Sequence, residues 1–321
     1  MKLSNTEFIK NLNQNYIFEN NPFIAVGVSG GPDSMALVFL LNQWIKKKGG
    51  SLIALIFDHK IRKENYRESK TIKNYLSKYK IKSCIIRAPK SKVIKLSMNE
   101  ARVNRLQGLI NYCKTKKILH LFLAHHYDDN IETFLTRKVS GSNLEGLACM
   151  SNISYRNNIQ ILRPFLDFSK KNILNYNKKN NIFYLDDPNN YNLKYTRVAI
   201  RKFIQISDNL KYIKSDFNNL SNDIVLYKRM IWETLHNILL KVKTDLIEIK
   251  NNEFIKIDNL IIEKHILLIH KYFFQNKMIL RSAKIQNFLN DLKQNQFKKY
   301  NLGGLIIEKS DCLLMFYGKK S

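Results

Sequence analysis

Six consecutive residues, Ser29-Gly30-Gly31-Pro32-Asp33-Ser34, combine what is needed to hold a chain of phosphates. Two glycines allow a sharp backbone turn with positive φ, and proline, aspartate and serine suit the first turn of a helix. Such a turn points bare N–H groups outward. The positive end of the helix dipole adds to them, so a phosphate or pyrophosphate is the expected ligand. The stretch is not G-x-x-x-x-G-K-S/T, and Gly27, Gly30 and Gly31 do not make G-x-G-x-x-G, so the two commonest phosphate-loop patterns are set aside. An ordinary strand-to-helix turn is the alternative.

The densest polar cluster is His125-His126-Tyr127-Asp128-Asp129-Asn130-Ile131-Glu132-Thr133. With a helix starting near Asp128, Asp129 and Glu132 lie three apart on one face, where carboxylates could hold Mg²⁺ or receive the ammonium of an amine substrate. Zinc fits less well, because the i, i+4 histidine pair of H-E-x-x-H is absent. Packing of His125 and His126 under a sheet edge would be the plainer account. Arg102 and Arg105 lie three apart on another helix, and their planar forks suit phosphate oxygens, although a solvated helix face explains them equally. A third cluster runs from Asp186-Asp187-Pro188 to Arg197 and Arg201. Asp187 precedes proline and must be extended, giving a loop able to reach over a site before an arginine pair; a turn capping a basic helix would also serve.

The elements that must position these residues alternate. Phe23–Val28 is a continuous apolar run suited to a buried parallel strand, followed by the loop and an apolar-periodic helix. Further strands are expected at 52–57, 84–87, 119–124 and 160–163, and helices at 66–79, 97–112, 128–138 and, capped by Ser169, to about Asn180. This alternation predicts an α/β fold, a doubly wound parallel sheet. Ligands of such sheets sit outside the carboxyl ends of the strands, and Ser29, Asp58 and His125 all lie just past such ends. From about Ile206 the pattern changes: 211–240 reads as mostly helical, with helices at 259–276 and 283–295 and a hairpin at 304–317 to follow. The expected domains are therefore 1–205, a nucleotide-binding catalytic unit; 206–240, a helical linker; and 241–321, a small basic α+β unit.

Composition narrows the partners. The 321 residues carry 54 Lys and Arg against 26 Asp and Glu, a formal net charge of +28, so a polyanion and above all nucleic acid is expected to bind. The competing account is compositional: Lys, Asn and Ile are abundant throughout, and a genomic bias toward them would supply part of that charge without a partner. The absence of a long apolar run, and of a signal-peptide core after Met1, predicts a cytoplasmic protein with no membrane partner. Cys84, Cys113, Cys149 and Cys312 are scattered, which indicates neither a disulfide framework nor a thiolate metal site.

Together these residues carry a resemblance. The Ser-Gly-Gly-Pro-Asp-Ser loop is similar to the pyrophosphate loop of enzymes that adenylate a substrate. Asp58-His59, Glu100-Ala101-Arg102-x-x-Arg105, His125-His126-x-Asp128-Asp129-x-x-Glu132-Thr133, Arg163-Pro164 and Asp187-Pro188-x-Asn190 with Arg197 and Arg201 then follow in the order of the tRNA(Ile)-lysidine synthetases. The resemblance spans about residues 20–202. It implies an adenine nucleotide α-hydrolase-like fold and ATP-dependent joining of L-lysine to the wobble cytidine of a CAU-anticodon tRNA(Ile), with ATP and Mg²⁺. By the same resemblance Ser29, Gly30, Gly31, Pro32, Asp33, Ser34, Asp58 and His59 would bind ATP, with Asp33 at the metal. Asp33, Asp129 and Glu132 would be catalytic, the latter two gripping lysine. Arg102, Arg105, His125, His126, Asp128, Asp187, Arg197 and Arg201 would line the substrate side; a homodimer is compatible with it. One departure stands out: the family usually reads Arg-Gly-Ser-Gly where this chain has Ser140-Gly141-Ser142-Asn143, with Arg137 the neighbour able to replace the missing arginine. A thiolase of the same loop family and a non-catalytic RNA-binding protein are the competing expectations. The intact carboxylates argue against the second, and the lack of paired cysteines against the first.

Overall fold

The computed structural model describes residues 2–58, 63–88, 98–142, 144–186, 199–200, 203–204, 210–274, 280–294 and 296–318. His59, Asp187, Arg197 and Arg201, and Lys319 and Lys320 in the basic tail, lie outside the described residues. The chain forms two compact units, Met1–Leu220 and Ser221–Ser321.

The first unit is built on strand β1 (Phe23–Val28), whose six residues are nearly all apolar. Parallel to it on one side runs β2 (Ser51–Asp58), then β3 (Lys82–Arg87). On the other side lie β4 (His120–Phe122), β6 (Ile159–Leu162) and, at the edge, β5 (Ile153–Arg156), giving the order β3-β2-β1-β4-β6-β5. Side-chain alternation sends Ile24, Val26 and Val28 to one face and Ala25 to the other. The first face is covered by α1 (Asn5–Asn15), α2 (Pro32–Lys48), α3 (Lys63–Lys78) and α7 (Lys170–Lys179), with Trp44, Phe8 and Phe122 fully buried between them. The second is covered by α4 (Met98–Thr115) through Leu109, Ile110 and Cys113. A Cβ on Gly27 would sit 3.2 Å from Leu109 Cδ1, so its glycine lets α4 approach β1 closely.

Helices on both faces make the sheet doubly wound, as its sequence pattern predicts. One strand departs from the expected all-parallel arrangement: β5 pairs with β6 antiparallel, Arg156 opposite Ile159, across a two-residue turn. Asn157 and Asn158 occupy that turn at φ 52° and 64°. Positive φ at both central positions gives the twist that a tight hairpin needs, and asparagine tolerates it. The winding reverses between β1 and β4, which are neighbours although β2 and β3 intervene in the chain. Their carboxyl ends open the crevice where such sheets bind ligands.

The second unit has its own core, formed by Phe254, Ile262, Ile266, Phe273, Phe288 and Phe316 among others. An antiparallel sheet of order β7-β8-β11-β10-β9 is made by Leu239–Val242, Leu246–Lys250, Leu313–Tyr317, Leu305–Lys309 and Lys299–Leu302. The hairpin expected at 304–317 is present and turns after Lys309, with the Ser310 amide donating to the Leu313 carbonyl at 2.9 Å. Before it in the chain comes the long helix α8 (Leu210–Ile238), in which the division between the two units falls. Among the described residues no helix is long and apolar enough to cross a membrane.

Candidate active site

Val28 ends β1, and the chain turns at Gly30, whose φ is 87°. A serine lattice fixes this turn: the Ser29 amide donates to Ser34 Oγ at 3.2 Å, and Ser34 Oγ donates to the Gly31 carbonyl at 3.0 Å. Asn177 on α7 braces the same turn by donating to the Pro32 carbonyl at 2.8 Å. Gly31 is the N-cap of α2 with no side-chain cap, and Pro32 occupies the first helical position. The first turn of this seventeen-residue helix is therefore left without a side-chain cap at the positive end of its dipole. Gly30→Ala is expected to cost about 1–2 kcal/mol because the left-handed backbone disfavours a Cβ. That Cβ would also meet Ile72 Cγ1 at 3.0 Å. Denaturant unfolding checks this, and an unchanged midpoint would contradict it.

Beside the loop, β4 leads into α5 (Tyr127–Val139), whose N-cap is His126. The Asp129 amide donates to His126 Nδ1 at 3.3 Å and the His126 amide donates to Asp129 Oδ2 at 3.0 Å, a reciprocal capping box. An amide donor on Nδ1 makes that nitrogen the acceptor, so the neutral ring carries its proton on Nε2. Nε2 lies 3.6 Å from Asp129 Oδ2 and 3.9 Å from Asp33 Oδ1. Asp128 Oδ2 lies 3.7 Å from His126 Nδ1 and accepts the Lys170 amide at 2.6 Å, tying the start of α7 to α5. Lys170 then reaches back, its ammonium donating to both Asp33 oxygens at 2.6 and 2.7 Å.

The N-terminal ends of α2, α5 and α7 thus meet at one point, with Asp33, Asp128, Asp129, His126 and Lys170 in mutual contact or one step apart. Sequence reasoning gathers all of these except Lys170, which lies 137 residues from Asp33. Its only local signal is that it follows the capping Ser169.

Glu132 sits on α5 one turn beyond Asp129 and is 3% exposed, a buried position for a carboxylate. Asp58 ends β2 and is also buried. The two arginines of α4 behave differently from a solvated face. Arg102 Nη2 lies 3.0 Å from His125 Nε2, and burial draws the Arg105 guanidinium below its ordinary range. His125 is held neutral: burial lowers its pKa to about 3, against the pull of the Asp129 charge and with help from the Arg102 charge. With Arg102 donating to Nε2, the ring proton is on Nδ1, a buried atom with no partner among the described residues. Arg137, the candidate substitute for the family arginine, donates instead to the Gly146 carbonyl in the short helix α6 (Leu144–Leu147) and closes the turn after α5. The segment leading to Asp187 does reach the loop, since the Leu185 amide donates to the Gly30 carbonyl at 2.9 Å.

The His125 shift has a sign. Between pH 6.5 and about 3 the unfolded chain binds a proton that the native ring refuses, so stability is intact above pH 6.5 and falls as pH drops through that window. At pH 5 the loss attributable to this ring is about 2 kcal/mol. His125→Gln should remove that increment of acid sensitivity. Equal pH 7 to pH 5 losses in both proteins would contradict the assignment.

Residues 4–207 match the PP-loop domain. The tRNA(Ile)-lysidine synthase of Rickettsia bellii is 30% identical over 315 residues, covering 92% of this chain and 70% of that protein. The chain belongs to the tRNA(Ile)-lysidine synthase group of the PP-loop family. The lysidine synthase of Orientia tsutsugamushi is 33% identical over 229 residues, 71% of this chain and 50% of the relative. That of Wolbachia pipientis is 38% identical over 194 residues, 60% and 45% respectively. The chain therefore spans about half the length of these two PP-loop relatives. Among solved structures, the U34-tRNA thiolase NcsA of Methanococcus maripaludis superposes with a TM-score of 0.56 at 18% identity, over 68% of this chain and 78% of that one. That likeness extends to the PP-loop fold.

Proposed function

We propose that this protein joins free L-lysine to the wobble cytidine of a CAU-anticodon tRNA(Ile), consuming ATP through an adenylated cytidine and yielding lysidine, AMP and pyrophosphate. The observation that carries the reading is the meeting of an uncapped helix N-terminus with the α5 carboxylates at the β1/β4 crevice, in a lysidine synthase relative. In the first step the cytidine O2 attacks the α-phosphate of ATP and pyrophosphate leaves. In the second the neutral ε-amine of lysine attacks ring carbon 2, AMP departs with the former O2, and the amine's proton is released. The difficulty of each step falls on a different part of the site.

The Ser29–Ser34 turn and the α2 N-terminus would seat the phosphates, with Asp58 and His59 on the adenosine side. Asp33 offers hard oxygen donors, and Mg²⁺ typically takes one or two carboxylates and completes its shell with phosphates and water. Bound there, Mg²⁺ would offset the charge that builds on the leaving pyrophosphate. Asp129 and Glu132, three apart on α5, would grip the substrate lysine. Arg102, held by the neutral His125 ring, and Arg105 would offer guanidinium donors to phosphate or base edges. His126 and Asp128 hold the rims of α5 and α7. Asp187, Arg197 and Arg201 and the basic second unit would contact tRNA in the cytoplasm.

Incubating the protein with ATP, isotope-labelled lysine and unmodified CAU-anticodon tRNA(Ile), then digesting the RNA to nucleosides, tests the reading. A labelled lysidine nucleoside is expected. A sulfur-bearing nucleoside or unchanged cytidine would reject it.

A further inference from the structure

A cavity of about 300 Å³ opens on the first unit between the second half of α2, the end of α3 and the end of α7. Gln43 on its wall lies nearly three turns along α2 from Asp33, about 15 Å of helix, so the cavity stands apart from the phosphate loop. None of the residues assigned above to phosphate, lysine or tRNA lines it. We propose that this cavity is a second nucleotide site, which takes one aromatic base bearing a phosphate, as a free mononucleotide or as an unpaired residue of an RNA strand.

The walls supply what a base requires. Phe39, Tyr75 and Tyr79 form one aromatic cluster, with centroids 4.8 Å apart for Phe39 and Tyr79 and 5.1 Å apart for Tyr75 and Tyr79. The first pair meets edge to face, which sets the angle between the rings. Tyr75 is fixed again through its hydroxyl, which accepts the Phe183 amide at 3.0 Å and donates to the Tyr79 hydroxyl at 3.4 Å. Tyr79 nevertheless remains 46% exposed, a large ring held in place with much of its surface uncovered. A base stacks on such a platform without first having to order a loose side chain. Asn42 and Gln43 from α2 and Asn180 from the end of α7 bring side-chain amides, each joining a donor to an acceptor as a base edge does. Asn180 is oriented by donating to the Tyr176 carbonyl at 2.8 Å. A purely aliphatic ligand would leave these amides unmatched.

Charge selects the rest of the ligand. Lys46 lines the cavity, and Lys47, Lys48, Lys78, Lys178 and Lys179 stand in the last turns of the same three helices. The helix C-termini alone would favour a cation, but these ammonium groups outweigh the dipole ends, and among the described residues no carboxylate lines the cavity. A neutral aromatic compound would satisfy the rings and leave Lys46 without a partner in the ligand. The volume lies at the small end of ligand sites, which suits one nucleotide rather than a longer stretch of chain. Ile182 also lines the cavity, and the segment that follows it is held by Tyr75 at Phe183 and reaches the Gly30 carbonyl through Leu185. An occupant would thus rest against the segment that braces the phosphate loop.

The test is a fluorescence titration of the full chain with 2-aminopurine riboside 5′-monophosphate and, separately, with a short single-stranded RNA carrying one 2-aminopurine, whose emission falls when the base stacks. The variants are Tyr79→Ala, Lys46→Gln and Asn42→Phe, the last filling the cavity, each checked by circular dichroism, melting temperature and binding of inorganic pyrophosphate to the phosphate loop. The parent should quench at least one probe saturably. Tyr79→Ala should weaken that binding about tenfold. Lys46→Gln, a change at an exposed position, should weaken it and flatten its salt dependence, and Asn42→Phe should remove it, while pyrophosphate binding stays at the parent level in all three. Saturation by the mononucleotide assigns the site to free nucleotides, and saturation by the RNA alone assigns it to an RNA residue; either result supports the proposal. Absence of saturable quenching with both probes would overturn it. So would quenching that all three variants leave unchanged, which would place the bound base at the phosphate loop.

Discussion

Asp33→Asn is expected to give a folded protein whose rate of tRNA adenylation is lower by about 10³-fold, the loss seen when a group aimed at developing charge is removed. Asparagine matches aspartate in shape, and Asp33 lies in the first turn of α2 at the rim of the site, so the surrounding core is not disturbed. What disappears is the negative charge. Without it the leaving pyrophosphate would lose its metal anchor at the step where charge accumulates. Single-turnover pyrophosphate release, measured beside circular dichroism, reads both consequences. A folded variant within a few-fold of the parent rate would show that Asp33 serves only as the partner of Lys170.

Glu132→Gln separates the two chemical steps. Glu132 is buried on α5, one turn from Asp129, where a carboxylate is costly to keep unless it meets cations or donors. Glutamine keeps the hydrogen-bonding shape and drops the charge, so pairing with a substrate ammonium should weaken by about 10²-fold. Lysine transfer should fail while adenylated tRNA still forms and accumulates. Equal loss of both steps would move Glu132 from the lysine pocket to the ATP side.

How much of this arrangement is legible in the sequence depends on the range of the interaction. The β1, loop and α2 succession is local, and its glycines, proline and apolar runs declare the turn directly. The helix of carboxylates after His125 is equally readable, but His126 as its N-cap is not, because capping residues are sought among Ser, Thr, Asp and Asn. The imidazole Nδ1 does the same work only because Asp129 answers it. The antiparallel β5 was hidden in Ile153-Ser154-Tyr155-Arg156, where two of four residues are polar. Asn157-Asn158 was the available signal, since consecutive asparagines tolerate a turn with two positive φ angles. Lys170 leaves no periodic trace at all. Its contacts with Asp33 and Asp128 come from tertiary closure of α7 onto α2 and α5, which no local pattern encodes.

The most direct test of the central claim is pyrophosphate release from ATP, measured with CAU-anticodon tRNA(Ile), with other tRNAs and without RNA, while each proteinogenic amino acid is supplied in turn. The account expects release to require the CAU-anticodon tRNA, and stable modified product to form with lysine alone. Release without RNA, or product formed equally well from other amino acids, would contradict it.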